Sequence, residues 1–241
     1  MAVFLVADPV RDFEAAPSSD LPAAPSAILA RLRLETRGEH DAVELELDLI
    51  GASLTREGYR QRLEQFYGFY APLEAALHNR CVQTDDCQGE PTLPLVTRSA
   101  VLPRLTKTAR LRQDLHHFGV MSKDVPLCRG LPPLETQGEV LGCLYVLEGA
   151  TLGGRMITQH VRATLGITPE TGGSFFDCYG DDTGKMWQAT RQLLVKAATD
   201  TQTENTIVAN AIATFACLRC WCESRQKLLE TETHRQTYRH A

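Results

Sequence analysis

A histidine with a glutamate four residues on, His40 and Glu44, lies in the stretch RLRLETRGEHDAVE. In a helix the two side chains sit one above the other on one face. The carboxylate can then accept from His40 Nδ1–H, which fixes the tautomer and leaves Nε2 free to ligate a metal or haem iron. Arg33 lies seven residues earlier on the same side, about 10 Å away by helical rise. A cation there suits the acidic edge of a large flat ligand held at His40. A histidine on an apolar stripe is also commonly a core residue bonded to a carbonyl. Arg33 and Arg37 would be equally at home on a solvated helix edge.

A second group of residues is Tyr145-Val-Leu-Glu-Gly149-Ala-Thr-Leu-Gly153-Gly154-Arg155. Three glycines in six residues cost a helix interior about 2–3 kcal/mol relative to alanine. Such a cost is tolerated where something approaches the backbone closely or where the helix kinks. Gly149 and Gly153, four apart, share a face and form a bare strip of backbone. Tight helix–helix packing explains the same pattern equally well. Glu148 sits in an apolar stretch and reads as a structural hydrogen-bonding group.

Eight cysteines are present, three of them clustered as Cys217, Cys220 and Cys222 in CLRCWC. A C-x-x-C pair offers two thiolates to zinc or an iron–sulfur cluster, but no second pair completes a four-ligand set. Cys81 and Cys87 flank a loop, and free thiols are the expectation for all eight. No Ser/His/Asp triad, Walker loop or strand-borne GxGxxG is present.

Around these groups, the composition is that of a globular chain. It has 241 residues, 43% hydrophobic and 23% charged, which is ample for a sizeable core. The formal charge of -5 and pI near 5.8 leave no basic excess to neutralise phosphates, arguing against nucleic-acid binding. The longest clean apolar run, Val140 to Leu147, is far shorter than the ~20 residues that span a bilayer. The opening MAVFLVADPV lacks a basic n-region and a long h-region, so no signal peptide is expected and the protein is placed in the cytoplasm.

Residues 1–25, rich in Ala, Pro and Ser, read as a flexible tether, and 26–241 as one helical domain. From an N-cap at Ser26, an amphipathic helix of about seven turns is expected to stop at Gly51. A second helix follows over about 55–79, then a loop over 80–96 and a helix over about 99–117 closing at Gly119. Residues 120–134 are irregular. Helix returns over 135–165, interrupted at Gly149, Gly153 and Gly154, and a Gly-rich turn spans 166–184. Two last helices cover about 185–199 and 203–232. No period-two alternation or βαβ rhythm appears, so the fold class is all-α.

An early helix carrying His with Glu at i+4, followed about 105 residues later by LYVLEGATLGG, resembles the haem oxygenases. The nearer likeness is to the bacterial biliverdin-producing branch associated with bacteriophytochromes. The resemblance spans about residues 26–230 and is most specific in RLRLETRGEHDAVE and GCLYVLEGATLGGRMI. It implies a single all-α helical bundle that sandwiches haem between its first helix and a kinked Gly-rich distal helix. It also implies that His40 is the axial iron ligand and Glu44 its supporting partner. Arg33 and Tyr145 would then meet haem propionates, and Gly149, Gly153 and Gly154 would lie against the haem face. The last basic contact falls on Arg191, with Lys185 in reserve. The departure is Ala150, where many members carry an aspartate that organises distal water.

The activity so implied is oxidative cleavage of haem, both cofactor and substrate, to biliverdin, carbon monoxide and ferrous iron with O₂. The chain has no flavin, NAD or convincing iron–sulfur motif, so a ferredoxin or reductase must supply electrons. A bacteriophytochrome is the recipient of the pigment in that branch. Two other classes stay open: a non-catalytic haem carrier binding through His40, and a helical interaction module in which His40 and the glycines only pack.

Overall fold

The computed structural model describes residues 27–83 and 93–239; the Ser26 cap, the 1–25 tether and Cys87 lie outside them. Eight α-helices and four short 3₁₀ turns make up the secondary structure of the described residues. The single helix expected from Ser26 to Gly51 is instead two pieces, α1 (Ala27–Glu35) and α2 (Arg37–Leu47). Thr36 lies at the break, and its hydroxyl donates to Leu32 O at 2.7 Å, competing with the backbone for that carbonyl. Nor does Gly51 end the helix. Asp48 takes the left-handed conformation at φ 41° and caps α2 by donating its N–H to Glu44 O. Aspartate is one of the few residues that tolerates this region.

Helix α3 (Arg56–Val82) begins where Thr55 accepts from Gly58 N at 3.0 Å, a cap that stabilises by about 1 kcal/mol. The single helix expected over 99–117 is divided into α4 (Leu95–Val101) and α5 (Lys107–His117), joined by a 3₁₀ turn over Leu102–Arg104. Pro103 contributes to the break, since it has no N–H to continue the ladder and sits at the start of the turn, where that donor is not needed. Residues 120–134 are irregular apart from a short turn over Ser122–Asp124.

Helix α6 (Gln137–Leu165) opens on a reciprocal capping box between Thr136 and Glu139. It runs unbroken through Gly149, Gly153 and Gly154, so the expected interruption does not occur. Burial offsets the glycine cost: α6 packs most extensively on α8 (Thr201–Arg239) and also on α7 (Thr183–Ala197). At Gly142 a Cβ would lie 2.3 Å from Ile207 O, so the two backbones touch where only glycine allows it. By length and composition α6 could cross a membrane, but 67% of its apolar window is buried inside this fold. It is the central core helix. Leu141, Leu144 and Val161 on α6 meet Ile207, Val208 and Ala211 on α8 in one continuous core, which α3 completes with Leu63, Leu73 and Leu77.

Candidate active site

A cavity of about 350 Å³ lies among α2, α3, α6 and the 173–178 segment. Its walls are mostly apolar. Phe66, Phe69 and Tyr70 come from α3, Phe175 and Phe176 from the connection before α7, Phe215 and Leu218 from α8. Exposed Arg33, Arg37, Asp41 and Ala150 stand at its rim.

His40 lines this cavity with its side chain 20% exposed, and its ring meets Phe215 edge-on at 5.6 Å. The expected pairing with Glu44 is present but reversed. Glu44 Oε1 lies 3.4 Å from Nε2, while Asp41 Oδ1 lies 3.4 Å from Nδ1. Asp41 is the residue the i+4 argument overlooked: it is sequence-adjacent, and its exposed carboxylate folds back over the ring. One nitrogen and two carboxylates therefore cluster within 4.8 Å, a hard, anionic set flanking one imidazole.

Arg33 and Tyr145 are brought together at the cavity, with Thr36 beside them. Burial pushes the Tyr145 phenol up, and the Thr36 hydroxyl and the Arg33 charge pull it back. The Tyr145 ring also packs on Trp187 of α7 at 5.7 Å.

The glycines divide. Gly149 lines the cavity, and a Cβ there would meet only Trp187, at 3.9 Å. Gly153 is buried within α6 but is not among the cavity residues. Gly154 is not on the wall either; a Cβ on it would lie 2.2 Å from Phe176 O. That glycine admits the backbone of a neighbouring segment. Arg191 and Lys185 also lie away from the cavity, because α7 turns them outward: Arg191 donates to Gln188 at 3.4 Å and Lys185 pairs with Asp182 at 2.8 Å. Trp187 is the residue α7 contributes instead.

A buried ionic cluster adjoins the cavity. Glu148, fully buried, accepts from Lys107 Nζ at 2.7 Å and Tyr179 OH at 3.0 Å, and Arg104 Nε stands 3.4 Å from its other oxygen. Lys107 and Cys178 both line the cavity. Burial and the Glu148 charge push the Tyr179 phenol up. Glu74 of α3 fixes the start of α5 by accepting from Lys107 N and Thr108 N, each at 2.9 Å. Asp114 accepts from Ser174 N, Ser174 Oγ and Phe175 N at 2.7–2.9 Å, holding Phe175 and Phe176 against the cavity. Burial pushes its carboxyl up, and those three donors pull it back. Sequence reasoning found none of these partners. Their one signal was Glu148 itself, since a carboxylate in an apolar run needs a buried cation.

An all-helical bundle with a histidine-bearing apolar cavity beside a glycine-rich core helix defines the haem-oxygenase-like class. Residues 26–224 match the family model described as Heme oxygenase, and the chain belongs to that family. No curated protein sequence matches the chain. Among solved structures, it resembles the NO- and CO-bound heme oxygenase of Neisseria meningitidis at 20% identity and TM-score 0.64, over 82% of this chain and 91% of that one. It also resembles heme oxygenase-2 of Synechocystis in complex with heme and NO, at 21% identity and TM-score 0.62, over 85% and 87%. A domain of unknown function from Shewanella denitrificans with a heme oxygenase-like fold aligns at 14% identity and TM-score 0.66, over 85% and 94%. These likenesses bear on the fold.

The cavity residues fit a haem. His40 offers an imidazole to a mostly apolar cavity, Gly149 presents backbone without a side chain, and Arg33 and Arg37 place positive charge at the rim.

Proposed function

We propose that the protein is a haem oxygenase, cleaving haem to biliverdin, carbon monoxide and ferrous iron with O₂ and external electrons. The observation that carries this reading is that His40 and the bare Gly149 backbone line one apolar cavity from two different helices. When bound, haem supplies both the iron that takes up O₂ and the ring that is opened.

His40 would hold the iron through one ring nitrogen, while a carboxylate at the other nitrogen fixes its tautomer. In the structure either Asp41 or Glu44 can take that second role, since one faces each nitrogen. Arg33 and Tyr145 would hold the acidic edge and so set which ring edge faces inward. Phe66, Phe69, Phe175 and Phe176 exclude water from the interior. Ala150 has no group to hold a proton. Lys107 Nζ, paired with Glu148, holds one at the cavity wall instead.

Electrons come from a separate ferredoxin or reductase, because the chain has no flavin, NAD or cluster motif. The likeness of LYVLEGATLGG to the bacteriophytochrome-associated branch supports a bacteriophytochrome as the pigment's recipient. The seven described cysteines are all free thiols, which suits a reducing cytoplasm.

The test adds haemin and a reductant in air. Loss of the Soret band with growth of a biliverdin band supports the proposal, and His40→Ala should lose the iron–nitrogen signature and turnover while staying folded. A stable Soret band under the same conditions marks a haem carrier. No Soret band at all marks a packing module.

A further inference from the structure

Two thiols far apart in sequence converge on one carbonyl. Cys217 Sγ of α8 lies 2.6 Å from Gly130 O, and Cys128 Sγ lies 3.6 Å from the same oxygen. Sharing that acceptor holds the two sulfurs within about 6 Å of each other. Their positions are well braced. Cys128 N donates to Gly68 O of α3 at 2.8 Å, and Trp221 Nε1, one turn beyond Cys217, donates to Gln65 O at 2.8 Å. Cys128 is buried, Cys217 is partly exposed, and Gly130 beside them is exposed. Solvent therefore reaches one sulfur, and the other waits behind it. Among the described cysteines, Cys81, Cys143 and Cys178 are buried on other elements, and Cys220 is exposed one turn along α8.

We propose that Cys128 and Cys217 form an oxidation site, closing to a reversible disulfide when the protein meets a peroxide. In the first step Cys217 Sγ attacks the O–O bond, becomes a sulfenic acid and releases one water. Cys128 Sγ then attacks that sulfur, the S–S bond forms, and the oxygen leaves as a second water. The two thiols give up two electrons and two protons in all, and the peroxide takes both. Burial pushes the Cys217 thiol up to about 12, so the first step is slow and the site answers sustained rather than passing oxidant. The sulfurs must close to about 2 Å, a movement that the exposed residues Arg129 and Gly130 can accommodate.

The bond would tie the 120–134 connection to α8 beside Phe215 and Leu218, which line the cavity. It closes a long loop of chain, from residue 128 to 217. That restricts the unfolded state and should raise the Tm by roughly 5–15 °C.

The test incubates the full chain with hydrogen peroxide for hours, blocks remaining thiols and maps peptides by mass spectrometry. The expected result is a cross-linked pair containing Cys128 and Cys217, lighter by two hydrogens and restored by dithiothreitol. It should persist in Cys220→Ser and vanish in Cys128→Ser and Cys217→Ser, with the wild-type map deciding the matter should a variant fail to fold. Both thiols remaining open to alkylation, Cys217 gaining two oxygens, or a link to Cys220 instead would each overturn the proposal.

Discussion

Replacing Gly149 and Gly154 by alanine, one at a time, separates the two meanings of a glycine-rich helix. Both lie in α6, so each alanine gains the same helix propensity, about 1 kcal/mol. Their surroundings differ. At Gly149 the new methyl meets Trp187 at 3.9 Å, an ordinary contact. At Gly154 it lies 2.2 Å from Phe176 O and 3.2 Å from the carbonyl carbon. The carbonyl must retreat by about 1 Å, and it belongs to backbone rather than to a flexible side chain. The segment cannot slide freely, because Asp114 holds it through Ser174 and Phe175. Overpacking of this kind costs about 1–3 kcal/mol.

Subtracting one variant from the other cancels the propensity gain and leaves the overpacking alone. Gly149→Ala should melt slightly above wild type, and Gly154→Ala should melt below Gly149→Ala by roughly 2–12 °C. Haemin titration gives the second reading. Gly154→Ala displaces Phe175 and Phe176 and should weaken binding, whereas Gly149→Ala should bind nearly as before but yield less biliverdin per bound haem. Equal melting temperatures, or Gly154→Ala the more stable, would refute the close approach of α6 to residue 176. Full biliverdin yield in Gly149→Ala would remove that glycine from the reaction.

Other outcomes follow from the same structure. Glu148→Ala strands Lys107 and Arg104 in the interior and should cost about 3–5 kcal/mol in urea unfolding; pairing Glu148→Gln with Lys107→Met should recover part of it. Burial raises the phenols of Tyr59 and Tyr70 and pushes the Cys143 and Cys222 thiols up to about 12. Their folded pKa values exceed the unfolded ones, so the stability they contribute is complete below about pH 9 and lost as pH rises further. Each fully titrating group adds a slope of about 1.4 kcal/mol per pH unit, and a flat urea midpoint between pH 9 and 11 would contradict it. Arg33→Glu should weaken haemin binding by roughly tenfold or less, given its exposed position, and leave the melting temperature unchanged; unchanged affinity places Arg33 on the solvated face.

The all-helical reading followed from periodicity, and most helix bodies lie where the apolar spacing put them. The boundaries that went wrong did so through side chains acting on backbone. The Thr36 hydroxyl shares the Leu32 carbonyl with its own N–H, Asp48 accepts a left-handed turn, and Pro103 falls where one helix becomes two. None of these changes the apolar pattern, so the pattern cannot show them. The site was legible where its residues are close in sequence: His40 with Glu44, and Tyr145 with Gly149. Its inner part was not, because Lys107, Phe175, Phe176 and Trp187 come from segments that only tertiary packing brings to α6. Gly154 shows the same limit. The family resemblance set it against the haem face, and its neighbour in the structure is a backbone carbonyl.

The two sides of the cavity are built differently, and the difference bears on how a large flat ligand could enter. The inner side is tightly braced: Glu148 with Lys107 and Tyr179, Glu74 on the start of α5, and Asp114 on the 173–178 segment are buried hydrogen-bonded groups. Moving any of them exposes a polar group that has no water to replace its partner. The His40 side rests on less. Helices α1 and α2 bury Ile28, Leu32, Val43 and Leu47 in the core, but their polar ties to α8 include partly exposed ion pairs, Arg219 with Glu39 and Arg31 with Glu204. Exposed pairs of this kind are solvated and screened, and contribute little. Exposed ionic ties on the His40 side, set against buried ones on the inner side, favour α2 over the inner wall as the side that yields to an entering ligand. That also places the adaptable carboxylates, Asp41 and Glu44, on the side that yields.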